Sequence, residues 1–238
     1  MSGSDPLGRA IRDHHHGEQD EPLIDRDGAE MREQPIERFY FGEFDPKSER
    51  GKWLTTWLDG PILDMGAGAG RDTLYLQDHF ETVAIEISNH LVETMQERGV
   101  QDPRHVDMFA LREHFQRDRF RSAFAFGTQV GLAGSMQGLR RFLGDLAFIT
   151  IPDATAVLHN YDPEMEATSN LLGYRTDPTP GLAYRLMHSE YKDERQTLLF
   201  RLFSPDRLRE ATVGTGWKVT DIRHVEESYS AALTKFNN

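Results

Sequence analysis

The chain has no cysteine. That excludes disulfides, thiolate metal sites and cysteine nucleophiles. Lysine is scarce, with 5 lysines against 22 arginines. Apolar residues nowhere run for the roughly 18 positions that a membrane-spanning helix requires. The stretch Met1-Ser2-Gly3-Ser4-Asp5-Pro6 lacks the basic and apolar regions of a signal peptide, so the expectation is a cytoplasmic protein with no membrane partner. Net positive charge is also missing: the formal charge is −12. Such a surface repels a phosphate backbone, and nucleic acid is not expected as a partner. An acid excess with little lysine suits a halophilic protein, because concentrated salt screens self-repulsion; an ordinary acidic protein from a GC-rich genome is the alternative.

What is present organises around residues 61–72, Pro-Ile-Leu-Asp-Met-Gly-Ala-Gly-Ala-Gly-Arg-Asp. An apolar strand runs into glycines at alternate positions, and a helix follows. Glycine serves where the backbone turns sharply or a ligand lies against it. The following helix turns unpaired N–H groups and partial positive charge toward that ligand. This is a nucleotide-binding arrangement, and the nucleotide is left open by the pattern alone.

With 238 residues, 38 % of them hydrophobic, the chain suffices for one domain. Residues 1–35 are polar and acidic and read as an irregular arm. Its His14-His15-His16 lacks the i,i+4 spacing of helical metal pairs and reads as a solvated tract. Trp53, Leu54, Trp57 and Leu58 recur at helical spacing. Tyr40 and Phe41 precede the glycine strand, where an N-terminal lid can fold over a ligand. Residues 82–87 form a second buried strand ending near Glu86, and Ser88 or Asn89 caps the next helix. Further strands are expected near 103–106, 120–127 and 155–159, with a helix around 135–146. Consecutive βα units imply a doubly wound, mostly parallel α/β sheet. Residues 160–182 are loop-like, and 184–191 with 197–203 read as a hairpin. Ser204-Pro205 starts a helix, and strands at about 217–225 and 229–235 close the chain.

The dinucleotide fingerprint places its third glycine three residues after the second. Counted that way from Gly66, the position holds Arg71. The phosphate-loop pattern fails, since no Gly-Lys-Ser/Thr follows. Leu63-Asp64-Met65-Gly66-Ala67-Gly68-Ala69-Gly70 resembles the first motif of the class I S-adenosylmethionine-dependent methyltransferases. The resemblance runs from about residue 36 to the C-terminus, making 36–238 the cofactor-binding domain with an insertion at about 160–203. It implies a Rossmann-like seven-stranded sheet whose last strand is antiparallel, plus an inserted β-hairpin. It implies S-adenosyl-L-methionine as cofactor, with Asp64, Gly66, Ala67, Gly68 and Gly70 at its methionine and ribose part. Glu86, about 20 residues beyond Gly66, would accept from the ribose hydroxyls, with Ile87 beside it. Asp107 would meet the adenine amino group, with Met108 and Phe109 flanking the ring. Gly127 and Gln129, either side of Thr128, would border the methyl end, and Tyr40 would cover the site. Taken singly, Glu86 also reads as a strand-end charge and Asp107 as a helix cap.

The chain departs from the pattern in places. Arg121, not an acid, follows Phe120, and no Asn/Asp-Pro-Pro-Tyr/Phe sequence occurs after the fourth strand. Thr128 and Gln129 supply no acid for a metal, so none is expected. His159 and Tyr161, at the end of the fifth strand, are the candidates for a catalytic base; His188 is a weaker one, and a structural histidine is the alternative for each. Arg175, Tyr184 and Arg185 are candidates to contact the acceptor, with salt bridging the alternative for the arginines. The reading is methyl transfer to a small-molecule acceptor. A cofactor-binding sensor without catalysis, and less favourably an NAD-dependent oxidoreductase, are the alternatives. From the charge pattern, thermal stability should rise between low and molar salt. A protein fully folded without salt and no more stable at molar salt would remove the halophilic expectation.

Overall fold

The computed structural model describes residues 4–236. Helix α1 (Pro6–His16) opens it, followed by the short strands β1 (Ile24–Asp27) and β2 (Glu30–Glu33). The arm expected to be irregular is therefore ordered. Asp5 caps α1 by accepting the Gly8 N–H at 3.0 Å, Pro6 occupies the first turn, and Gly17 closes the helix in the left-handed region. Only a narrow stripe is apolar, with Ala10 and Ile11 fully buried. The rest of the docking is ionic and long-range, which polar composition does not reveal. Asp13 accepts from Lys192 at 2.9 Å and from the Tyr191 hydroxyl at 3.1 Å, and Arg9 pairs with Glu194 at 3.0 Å. The histidine tract is also packed: His14 meets Glu37 at 2.9 Å, His16 meets Glu97 at 2.7 Å, and the His15 ring stacks on Phe41.

One π-helical turn (Glu37–Phe41) leads to α2 (Glu49–Thr55), which ends before Trp57; Leu54 and Leu58 are its buried contacts. Then come β3 (Ile62–Met65), α3 (Arg71–Leu76), β4 (Thr82–Glu86), α4 (Asn89–Glu97), β5 (Pro103–His105), α5 (Leu111–His114) and β6 (Phe120–Ala125). A 3-10 turn (Gln129–Ala133) precedes α6 (Met136–Ile149) and the long β7 (Thr150–Tyr161). The region expected to be loop contains a second 3-10 turn and the strand β8 (Tyr174–Thr176). The hairpin is β9 (Leu182–Tyr191) and β10 (Glu194–Phe203), longer than expected because its turn is only Lys192-Asp193. Helix α7 (Pro205–Thr212), β11 (Trp217–Val225) and β12 (Ser228–Lys235) complete the chain.

The main sheet has the order β11-β12-β7-β6-β3-β4-β5. Its five strands from β7 to β5 are parallel, and β12 inserts antiparallel between β7 and β11. This is the expected doubly wound sheet with an antiparallel last strand. One face packs Leu63, Ile85 and Leu158 against Phe142, Leu146 and Trp217; the other packs Ile62, Phe124 and Val157 against Leu54 and Leu76. A second, antiparallel sheet has the order β10-β9-β1-β2, with β8 also on β9. It lies against the C-terminal ends of the parallel strands. A Cβ on Gly131, in the turn after β6, would stand 2.9 Å from the Arg201 carbonyl of β10, and Asn160 near the end of β7 donates to that carbonyl at 3.4 Å. Among the described residues no helix is long and apolar enough to cross a membrane.

Candidate cofactor and acceptor cleft

Strand β3 ends at Met65 and the chain turns through Gly66–Gly70 before α3 begins. The Gly66 and Ala67 N–H groups both donate to the Ile85 carbonyl of β4, at 3.0 and 3.2 Å, so the neighbouring strand holds the turn. Gly66 has φ +71°, and a Cβ there would meet the Gln129 side chain at 2.7 Å. Gly68 has φ +60°, and its Cβ would lie 3.2 Å from the Tyr40 ring. Both positions need glycine for backbone and for space. Gly70 faces away, toward Val100 and Met95. It shapes the turn and lines neither of the two cavities over it.

Two adjoining cavities open over this turn. One is bounded by Tyr40, Asp64, Gly66, Ala67, Gly68, Glu86, Gly127 and Gln129. The other is bounded by Ile87, Asp107, Met108, Phe109 and Leu132. They meet at Gly66, Glu86 and Gln129, which line both. Ile87 and Leu132 are exposed apolar walls, at 65 % and 39 %. One oxygen of Asp107 accepts the Phe109 N–H at 2.8 Å.

The acids differ sharply in their surroundings. Burial pushes the Asp64 carboxyl up to about 8, and the nearby Asp72 and Glu86 charges add to this, while the Thr73 hydroxyl, donating at 2.5 Å, opposes it. Burial likewise pushes Glu86 up to about 7, and the Gly68 and Ile87 backbone groups counter this only in part. Burial alone would lift Asp72 too, but the Arg50 and Arg71 guanidiniums beside it hold its carboxyl below the usual value. Tyr40 is half-buried against Gly68; loss of solvent raises its hydroxyl, as do the Glu86 and Asp25 charges. Arg98 ties the aromatic turn to the glycine turn by donating to the Tyr40 and Ala69 carbonyls.

Neither expected base lines the two cavities. His159 stands behind Phe126, 5.9 Å between rings, and its Nδ1 accepts the Thr128 N–H at 3.2 Å. Burial next to Arg50 pulls its imidazole down to about 4. Tyr161 lies under the Arg185 guanidinium among the second sheet's apolar residues. His188 is exposed and bonds Thr197, and Arg175 forms a two-bond pair with Asp27. Tyr184 stacks on Arg201, and Arg185 donates to the Leu172 carbonyl at 3.0 Å. None of these acceptor candidates borders the two cavities. The sequence reading missed Leu7, Phe39, Arg71, Asp72, Leu91 and Phe126, all of which line the cavity that Asp64 and Tyr40 border. The Arg71-Asp72 pair in the first turn of α3 was a usable signal; Leu7 had none, because only the docking of α1 brings it there.

No family model matches the chain, and no curated protein matches it in sequence. Solved structures do match. An S-adenosylmethionine-dependent methyltransferase from Bacteroides fragilis, in complex with S-adenosylhomocysteine, superposes with TM-score 0.78 at 23 % identity, over 98 % of this chain and 96 % of that one. A sugar N-methyltransferase from Streptoalloteichus gives 0.54 at 14 %, over 74 % and 80 %. A Burkholderia thailandensis 1,6-didemethyltoxoflavin N1-methyltransferase, with its substrate and S-adenosylhomocysteine bound, gives 0.51 at 18 %, over 74 % and 71 %. The fold is that of the S-adenosylmethionine-dependent methyltransferases. Within this methyltransferase fold, the glycine turn and the Glu86 strand end stand where the sequence motif predicts them.

The Asp64 environment generates a stability prediction. An acid whose folded value is raised keeps its proton in the native state while the unfolded chain releases it, so its presence costs stability as pH rises from about 4 to about 8. Asp64→Asn keeps an acceptor for Thr73 and removes this cost. The thermal midpoint of unliganded Asp64→Asn should exceed that of the parent by a margin that grows between pH 5 and pH 8.5. A margin that is constant or shrinks with pH contradicts the assignment.

Proposed function

We propose that the protein is an S-adenosylmethionine-dependent methyltransferase acting on a small molecule in the cytoplasm. One observation carries the reading: two adjoining cavities meet at the buried carboxyl of Glu86, beside a turn built only of glycine and alanine. The residues fit the cofactor. Glu86 would hold the ribose hydroxyls, and Asp107 the adenine amino group between Ile87 and Met108. Asp64 has one oxygen engaged by Thr73, and the cofactor ammonium is the natural partner for the other. Gly66, Ala67 and Gly68 allow close approach, Gln129 and Gly127 border the methyl end, and Tyr40 covers Gly68. Neighbouring folds that methylate a sugar and a toxoflavin precursor support a small-molecule acceptor.

When bound, the cofactor supplies an activated methyl group on a sulfonium. The protein's task is alignment: reacting atoms held at roughly 3–3.5 Å gain about 7–11 kcal/mol from proximity and orientation. The glycine turn fixes one side of that line, and Gln129, wedged over Gly66, fixes its entrance. Phe39, Phe126 and Tyr40 also line that cavity, where they would keep water from the reacting groups.

The direct test is incubation with methyl-labelled S-adenosylmethionine and a small-metabolite extract. Label in a new small molecule, with release of S-adenosylhomocysteine, is expected; cofactor binding without turnover would favour the sensor reading. Glu86→Ala should weaken S-adenosylhomocysteine binding by ~1–3 kcal/mol, the order for hydrogen bonds to a charged group. Because Glu86 must be ionised to accept fully, parent affinity should rise as pH passes upward through about 7. Calorimetry reads both, and an affinity unaffected by the substitution removes Glu86 from the site.

A further inference from the structure

Shortly after β6, two consecutive residues stand in the left-handed region. Gly127 has φ +72° and Thr128 has φ +69°. Glycine takes such a conformation freely, whereas a β-branched residue rarely does. Thr128 is also buried, and it starts the 3-10 turn Gln129–Ala133 without a side-chain cap. Its carbonyl accepts the Gly131 N–H at 2.8 Å, within the same turn. Backbone strain of this kind persists only where neighbouring structure holds it.

A contact distant in sequence does so. The Thr128 N–H donates to Nδ1 of His159 at 3.2 Å. A nitrogen that accepts carries no proton, so the neutral ring has its proton on Nε2. Burial disfavours an imidazolium, as does Arg50, which stacks on Phe126 at 4.2 Å, and Nδ1 therefore keeps its lone pair. His159 is itself fixed by the main sheet. It lies opposite Ser230 of β12, and the preceding Leu158 lies opposite Ala125 of β6. Its ring stands 5.9 Å from that of Phe126. An interior strand thus anchors the turn at its most strained residue.

The residue after Thr128 is where the two cavities join. Gln129 lines both of them, with Gly66 and Glu86. Its side chain lies so close over Gly66 that a Cβ there would meet it at 2.7 Å. Relaxation of Thr128 to negative φ would carry Gln129 off this seat and change the wall that the cavities share.

We propose that His159 is a positioning residue: by accepting the Thr128 N–H it holds the turn after β6 in its strained form, and so keeps Gln129 seated over Gly66 where the cofactor binds. The proposal rests on the methyltransferase reading. His159 lines neither cavity and acts only through the turn. Without its acceptor nitrogen, most molecules rest with the turn relaxed, and binding must first restore it. The apparent affinity then falls by the fraction of molecules that hold the strained form.

The test uses variants of the full-length protein, read by calorimetric titration with S-adenosylhomocysteine and by thermal midpoint. His159→Leu keeps an apolar side chain beside Phe126 and offers the Thr128 N–H no acceptor. It should weaken binding about tenfold, as for a turn held in roughly a tenth of molecules. His159→Asn retains an acceptor at the δ position and should bind within about twofold of the parent. Thr128→Gly lets the backbone take φ +69° unaided, so in that background His159→Leu should cost about twofold or less. An equal loss in both backgrounds overturns the proposal. So does a lowered thermal midpoint with unchanged binding, the signature of a histidine that only stabilises the fold. Nitrogen-15 spectra of the histidine rings in the unliganded protein decide the case if His159→Leu does not fold. An unprotonated Nδ1 on His159, assigned against His159→Asn, is expected, and a proton there overturns the proposal. Failure of the parent to bind S-adenosylhomocysteine at all would instead remove the methyltransferase reading beneath it.

Discussion

Two carboxyls buried at the ends of adjacent parallel strands set the terms for this protein. Asp64 on β3 and Glu86 on β4 are both held well above the ordinary range by burial, and among the described residues no cation pairs directly with either. Folding alone gives little reason to keep such groups, because an unpaired buried acid costs stability wherever it would ionise. The surrounding structure keeps them in place. The glycine turn is bonded to the Ile85 carbonyl, Tyr40 covers Gly68, and Arg98 fastens one to the other. Contrast Asp72, in the first turn of α3, which two arginines keep ionised and structurally employed. The difference separates two acids raised by burial from one held down by its arginines and tied into the fold.

The second constraint is the cover over the strand ends. Helix α1 and the five-stranded sheet are joined by contacts between residues far apart in sequence, such as Asp13 with Lys192 and Arg9 with Glu194. Through them Leu7 reaches the cofactor cavity, and Tyr161 is drawn under the second sheet. The surface is rich in arginine–carboxylate pairs, each worth little singly in water. The partly buried ones, at Asp13 and Asp72, position elements around the cleft.

The parallel sheet was legible because each βα unit carries its own local signals: an apolar run, a capping residue and a terminating glycine. Glu86, Asp107 and Gln129 were legible because the strand ends of this fold bring short motifs to one edge. The arm at 1–35 was not, since its helix buries little apolar surface and depends on charges from the hairpin. His159 was read as a base or as a structural histidine, and its contact with Thr128 and its place outside both cavity linings favour the structural reading. A histidine at a strand end says nothing about which nitrogen is engaged, and only the folded loop brings the Thr128 N–H to Nδ1. Gly70 was assigned to the ligand from its spacing, whereas its space is taken up by Val100 and Met95.

The central claim is that the cavity pair meeting at Glu86 is shaped for S-adenosylmethionine and not for a dinucleotide, because Arg71 occupies the position of a third fingerprint glycine. Calorimetric titration of the purified protein with S-adenosylmethionine, S-adenosylhomocysteine and NAD tests this most directly. The account predicts saturable one-to-one binding of the first two and none of NAD. Binding of NAD with no response to S-adenosylhomocysteine would contradict it.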